Sequence, residues 1–358
     1  MNRNAGMNAG QIIGTMDGRQ VVGLDIAKNV FQLHTVDMCT GEIINVQLKR
    51  AKVAQHFANR AASLIAMEAC GGAHHWARQL TALGHTVRLL HAKIVRPFVA
   101  GNKTDASDAR AIWLAVQQPD VKFVGIKTTQ QQATLTLHRQ RELLMKMRNM
   151  QASALRGLLY EFGAVFARGR RALLGELEPA LEALSAQLPR IVADSLREQL
   201  MRIKALEHDI ARIEQRLALQ LKADPQMRRI AQIPGVGVLS ATAAIATMGQ
   251  ASAFKSGREF CAWLGLVPKQ NGTGGKVRLG AISKRGDTYL RTLLIHGARS
   301  VLAHTKQPAP WLAAIKARRP ANVAAVAQAA KMARTIWALT AKQQDYHSGH
   351  QSVRPQPL

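Results

Sequence analysis

The sequence predicts two architectures in one chain, an α/β domain over residues 20–125 and an all-α remainder. Three observations carry the prediction. The first third holds short β-branched and apolar runs separated by turn signals. A long Leu- and Ala-rich stretch with helical spacing follows, and after it a basic, mostly helical segment. The 358 residues leave room for two or three domains at roughly 150 residues each, and 47 % apolar residues suffice for real cores.

Residues 1–19 read as a polar, disordered leader. "QVVGLDIAKNVFQLHTVD" nearly alternates apolar and polar positions, and "GEIINVQL" follows a Thr-Gly turn signal, so the two form a β-meander. "SLIAMEA" and "HTVRLLH" are two further strands, and "GGAHHWARQLTAL" between them has helical spacing up to Gly84. Strands that then alternate with helices make residues 20–125 an α/β unit. From 130 to 222 the spacing is helical, and Ile203, Leu206, Ile210, Ile213 and Leu217 fall at 3-4-3-4 intervals, a heptad seam. The seam suits a helical hairpin or dimerising coiled coil, or packing against its own domain. "ADPQM" marks a boundary before a largely helical segment, 226–343, broken by a glycine-rich loop at 272–280. Residues 344–358 read as a flexible tail.

Charge narrows the function. Lys and Arg number 49 against 22 Asp and Glu, a net +27, with a pI near 11.1. Segment 226–343 alone carries 18 basic residues and two acids, Glu259 and Asp287. Such a surface gains affinity by releasing counterions from phosphates, so nucleic acid is the expected partner, with an anionic membrane surface as rival. No apolar run approaches the roughly 18–20 residues that span a bilayer, and the N-terminus lacks a signal-peptide core. Cys39, Cys70 and Cys261 form neither a disulfide framework nor a zinc signature, which places the chain in a reducing cytoplasm.

Against this background four acids stand out. Asp25 lies inside an apolar strand, where a buried carboxylate is costly without compensation. Glu68 ends another apolar strand, just before two glycines. Asp105 and Asp108, in "GNKTDASDARAIWLA", are three apart and share a helix face. Acids from two strands and one helix can converge on one point, and carboxylates with water are what Mg²⁺ binds. The plainer reading is that Asp105 caps the helix and Asp108 favours its positive end. Asp37, Glu42, Asp120 and His34 read as surface residues. His74 and His75 read as solvated, with a ligand role the lesser alternative, and the five tryptophans read as core.

"GLDIAKNVFQLH", "AMEACGGAHHWA" and "NKTDASDARAI", in that order and spacing, resemble the RuvC-like (RNase-H-like) domain of the DEDD insertion-sequence transposases, the IS110 family and especially its IS1111 subgroup. The resemblance implies that Asp25, Glu68, Asp105 and Asp108 bind divalent metal, Mg²⁺ or Mn²⁺.

Two motifs mark the second half. "IAQIPGVGVLSATAAIATMG" has the form of a helix-hairpin-helix, in which Gly235 and Gly237 let backbone amides approach a phosphate; a simple helix–helix turn is the alternative. In "FCAWLGLVPKQNGTGGKVRLGAISKRGDTYLRTLLIHGA", Thr273 lies among glycines, with Lys269, Lys276, Arg278, Lys284, Arg285 and Arg291 nearby. From the residues alone this loop either holds a DNA backbone or presents a hydroxyl that attacks it. The segment resembles the C-terminal domain of the same family, which implies a covalent nucleophile at this loop. Where the family has serine this chain has Thr273, and Ser283 is the fallback.

Together the readings give a transposase that cleaves and rejoins DNA, working as a dimer or tetramer without a membrane, in the bacterial cytoplasm at the nucleoid. The resemblance further implies a guide RNA encoded by the element. A metal-dependent junction resolvase in which Thr273 only binds, and a non-catalytic nucleic-acid-binding protein, are the alternatives.

Overall fold

The computed structural model describes residues 15–349 apart from 17, 18, 38, 103 and 168. Most of the expected leader and the last nine residues of the expected tail lie outside the described residues. Two compact units divide the chain, 1–129 and 130–358.

The first unit is a mixed sheet between helices. Its elements are β1 (Thr15–Met16), β2 (Arg19–Ile26), β3 (Val30–Val36), β4 (Ile43–Lys49), α1 (Val53–Ala58), β5 (Leu64–Glu68), α2 (Ala73–Ala82), β6 (Thr86–Leu90), α3 (Ala92–Val95), α4 (Asp105–Val116) and β7 (Phe123–Val124). Strand order is β4-β3-β2-β5-β6-β7, with β1 paired onto β2. The antiparallel meander β2–β3–β4 and the parallel neighbours β2–β5–β6 match the strand reading of the sequence. Both faces are covered, so the central strands are nearly continuous apolar runs. Val22, Leu24, Phe31, Ile65 and Met67 pack with α1 and α2, while Val21, Leu64, Ala66 and Leu90 pack with α3 and α4.

That second cover overturns the surface reading of His34. It is 3 % exposed, its Nδ1 lies 2.8 Å from Asn45 Oδ1, and its ring meets Trp113 edge-on. The position pairs with Gly23 across the meander, directly on the face that α4 covers.

The second unit holds α5 (Thr129–Tyr160), α6 (Arg170–Ser185), α7 (Arg190–Ala223), α8 (Pro225–Ala231), α9 (Val238–Met248), α10 (Gly257–Trp263), β8 (Pro268–Thr273), β9 (Lys276–Ile282), α11 (Thr288–His304), α12 (Pro310–Arg318) and α13 (Ala321–Lys342). Helices α5 and α7 run antiparallel. Thr134 bonds Gln220, Arg141 pairs with Glu214 at 2.6 Å, Arg148 with Glu207 at 3.6 Å, and Gln199 donates to the Gln151 carbonyl. The seam on α7 turns inward: Ile203, Ile210, Ile213 and Leu217 are buried within this unit.

A buried polar knot joins α5, α9 and α11. Thr242 donates to the Val238 carbonyl at 2.7 Å, so its oxygen accepts from His138 Nε2–H at 3.0 Å. His138 Nδ1 is then left to accept the Tyr289 hydroxyl at 2.9 Å. Burial foremost, with Arg141 nearby, lowers the His138 pKa to about 4, so the ring is neutral.

Two expectations change here. The glycine-rich stretch is no loop but a hairpin, β8–β9, closed by Gly274 and Gly275 at φ +56° and +79°, the left-handed pair that a two-residue hairpin turn needs. The start of the expected flexible tail is tied down, because Asp345 pairs with Arg229 at 3.3 Å and Tyr346 packs on the core of α8–α13. Among the described residues no helix is long and apolar enough to cross a membrane.

Candidate active site

The four acids lie toward one end of the first unit. Strands β2 and β5 are parallel, and their last paired positions are Leu24 and Met67. One step further, Asp25 and Glu68 lie side by side at the carboxyl ends of strands about 4.8 Å apart. Side chains alternate along a strand. Since Leu24 and Met67 face α1 and α2, Asp25 and Glu68 face α4.

Helix α4 brings the other two. It lies against β2 at Gly23, where an added Cβ would stand 2.3 Å from the Ala109 carbonyl oxygen and 2.8 Å from Trp113 Cβ. Trp113 Nε1 donates to the Val21 carbonyl at 3.1 Å, further along the same strand. The helix therefore runs over β2 with its first turn, carrying Asp105 and Asp108, beyond Gly23 toward Asp25. Asp105 does not cap it. Thr104 is the N-cap: its hydroxyl accepts from the Ser107 amide at 3.2 Å, and the Ser107 hydroxyl accepts from the Thr104 amide at 3.0 Å, a reciprocal capping box. The plainer sequence reading of Asp105 thus loses its bond.

The other three acids act on Asp25 electrostatically. The Asp25 pKa is raised to about 6, by burial first and then by Asp108, Asp105 and Glu68 in that order, against a backbone hydrogen bond from Ile26 that lowers it. Burial, Glu68 and Asp25 likewise push the Cys70 thiol up. In a chain of net charge +27, this is a locally negative site, and among the described residues no basic side chain pairs with any of the four. Nor, among those residues, do three acid, His or Cys side chains close around one point as ligands of a single ion would. Carboxylates are hard oxygen donors of the kind that suit a divalent cation.

The remaining predicted residues divide. Thr273 ends β8, exposed beside the turn, and Lys269, Lys276, Arg278, Lys284 and Arg285 are exposed with it. Arg291 is not available to a phosphate: it is 7 % exposed, and its guanidinium donates to the carbonyls of Leu264 and Arg285 and to the Thr288 hydroxyl. Ser283 has a buried hydroxyl with no hydrogen-bond partner among the described residues. Gly235 meets Gly297 on α11, where a Cβ would stand 2.7 Å from a carbonyl oxygen, so its freedom serves helix packing. Gly237 is exposed and open. His74 accepts from the Lys127 amide at 3.2 Å, and His75 is exposed. Sequence reasoning missed Gly23, Trp113 and the Thr104–Ser107 pair. A glycine inside a strand, which signals close backbone approach, was the available clue.

Two family models match. One described as a transposase covers residues 22–163, and one described as the transposase IS116/IS110/IS902 family covers residues 227–312. The chain is 46 % identical over 333 residues to a probable family 20 transposase of Pseudomonas aeruginosa, covering 92 % of this chain and 98 % of the relative. The chain belongs to the IS110 family of DEDD transposases. It is also 38 % identical to the transposase for insertion sequence element IS1111A of Coxiella burnetii, over 94 % of this chain and 93 % of the relative. To the transposase for element IS1328 of Yersinia enterocolitica it is 35 % identical, over 89 % and 96 %. It is a DNA transposase of an insertion sequence, and the resemblance read from its motifs extends over nearly the whole chain.

Proposed function

We propose that this transposase cuts and rejoins DNA strands with two sets of residues. Asp25, Glu68, Asp105 and Asp108 would hold Mg²⁺ or Mn²⁺, which supplies charge stabilisation at the reacting phosphate. The Thr273 oxygen would bond to a DNA phosphorus as its proton leaves, and the displaced DNA oxygen would take up a proton. A second DNA hydroxyl then displaces threonine and restores a phosphodiester. Exposed Lys269, Lys276, Arg278, Lys284 and Arg285 support nucleic-acid binding, as does Gly237 at the start of α9. The observation that carries the metal assignment is Asp25, a carboxylate raised to about 6 by burial first and then by Asp108, Asp105 and Glu68, a cost that a divalent cation would relieve.

Guidance by an RNA of the element, in the bacterial cytoplasm at the nucleoid, is part of the same proposal. A dimer or tetramer is supported by an apolar stripe on α5, Leu143, Met147, Met150 and Leu158, which is exposed and follows helical spacing.

The experiment is strand joining on DNA carrying the element's ends, with Mg²⁺. Asp25→Asn and Asp108→Asn should abolish cleavage, Thr273→Ala should abolish the protein–DNA adduct and joining, and Thr273→Ser should retain both. Full activity in the two Asn variants sinks the metal site. Cutting that persists in Thr273→Ala with no adduct makes the enzyme a metal-dependent resolvase instead.

A further inference from the structure

The β8–β9 hairpin sorts its side chains by charge. Cross-strand partners of an antiparallel pair share a face, and the pairs are Thr273–Lys276, Gly272–Val277, Asn271–Arg278 and Gln270–Leu279. Asn271, Thr273, Lys276 and Arg278 therefore stand on one face, and Gln270, Val277 and Leu279 on the other. Lys269 joins the first face across the register shift, since a Cβ added at Gly280 would lie 3.9 Å from Lys269 Cβ. All of the hairpin's charge is thus on one side and positive, and from 260 to 286 the chain has five basic residues and no acid.

Both strands are exposed along almost their whole length. A lone two-stranded ribbon is marginal in water, so this one is completed by what it binds, and its one-sided charge makes that a polyanion. A two-stranded ribbon fits the major groove of B-form DNA, about 12 Å wide. The major groove of an RNA helix is too narrow to admit it. Asn271 and Arg278 face each other across the ribbon, and they are the two residue types that bond adenine and guanine edges with two hydrogen bonds each. Thr273 and Lys276 lie two residues nearer the turn, about 7 Å along the strands, toward the groove wall and its phosphates.

We propose that this hairpin enters the major groove of duplex DNA with its cationic face inward, and that Asn271 and Arg278 read base pairs beside the phosphate that Thr273 approaches. The placement of that phosphate rests on the proposed role of Thr273; the reading of bases does not. Sequence choice at this point is then made by protein side chains, apart from any pairing with RNA.

The test is selection by the purified full-length protein from short duplexes with a randomised centre, followed by sequencing. The wild-type protein should enrich adenine and guanine at a fixed offset. Arg278→Ala should lose the guanine preference, about tenfold or more in discrimination, while enrichment of adenine persists. Asn271→Ala should lose the adenine preference. Both positions are exposed, so folding is not at stake. No enrichment by the wild-type protein, or the same enrichment in both variants, overturns the proposal. So does a binding defect of Arg278→Ala that appears with folded RNA hairpins and not with duplex DNA. Failure of the Thr273 reading shows separately, as strand joining that survives Thr273→Ala while base enrichment is unchanged.

Discussion

Gly23 on β2 lies directly beneath Ala109 on α4, so close that a Cβ at position 23 would stand 2.3 Å from the Ala109 carbonyl oxygen. Hydrogen is the only substituent that fits. Because Asp105 and Asp108 ride on the same helix, this contact sets how near they come to Asp25. Gly23→Val must lift or slide α4, and overpacking of this kind costs about 1–3 kcal/mol. The lower melting temperature is accompanied by a loss specific to the site: addition of Mg²⁺ should raise the melting temperature of wild-type protein and not of Gly23→Val. A Mg²⁺ shift of full size in the variant would show that the contact does not position the acids.

Asp25 gives a second prediction with a defined sign. Its folded pKa, about 6, lies above the ordinary aspartate value of 3.8, so folding favours the protonated form. Its contribution is favourable below pH 3.8 and is lost as pH rises through about 6. At neutral pH, in metal-free protein, the ionised group costs stability, on the order of 1 kcal/mol after allowing for its partial solvent screening. Asp25→Asn should therefore stabilise metal-free protein at pH 7.5 while removing the stabilisation by Mg²⁺. Urea denaturation with chelator and with Mg²⁺ measures both. A variant less stable than wild type in chelator contradicts the repulsion on which the site assignment depends.

How much of this was legible in the residues depends on the range of the interaction. The strands around Asp25 and Glu68 were readable because apolar runs and turn signals are local, and the α4 acids because three-residue spacing on a helix is local. Local signals also misled. Pro268–Thr273 has only one β-branched residue, Thr273, so a strand there looked like loop; its partner strand and the two-glycine turn make it a hairpin. His34 looked exposed because its neighbours in sequence say nothing of α4, which arrives some 70 residues later. Arg291 was one cation among many until its carbonyl partners, Leu264 and Arg285, were brought to it by the fold. The Thr104–Ser107 box was within reach of local reading, but the two aspartates beside it drew the capping assignment to themselves.

His138 predicts an acid-labile second unit. Its folded pKa, about 4, lies below the ordinary histidine value of 6.5. Protonation therefore favours the unfolded chain, and the stability it contributes is fully present above pH 6.5 and lost as pH falls toward 4. His138→Ala removes the bonds to Tyr289 and Thr242 and leaves a cavity, at a cost of about 2–4 kcal/mol at pH 7.5. Tyr289→Phe removes one bond and should cost about 1 kcal/mol. Denaturation curves at pH 7.5 and 5 check this, the gap between wild type and His138→Ala narrowing at the lower pH. A gap that widens there would mean the ring is protonated in the folded protein.

The basic residues of the C-terminal segment separate into those that bind and those that hold the fold, and salt distinguishes them. An exposed cation that contacts a phosphate releases a counterion on binding, so removing one reduces the slope of log affinity against log salt by about 1. Lys269→Ala and Arg285→Ala should each do so on mixed-sequence duplex DNA, with melting temperature unchanged. Arg291→Ala should behave in the opposite way. It strands the Leu264 and Arg285 carbonyls without their donor, destabilising by about 2–3 kcal/mol, and the salt slope of the protein that remains folded should match wild type. Filter binding across a salt series, beside thermal melting, separates the two behaviours. If Arg291→Ala instead lowered the slope at constant melting temperature, its guanidinium would have to leave those carbonyls for DNA, and the inward clamp around residues 264–288 would not describe the protein in its bound state.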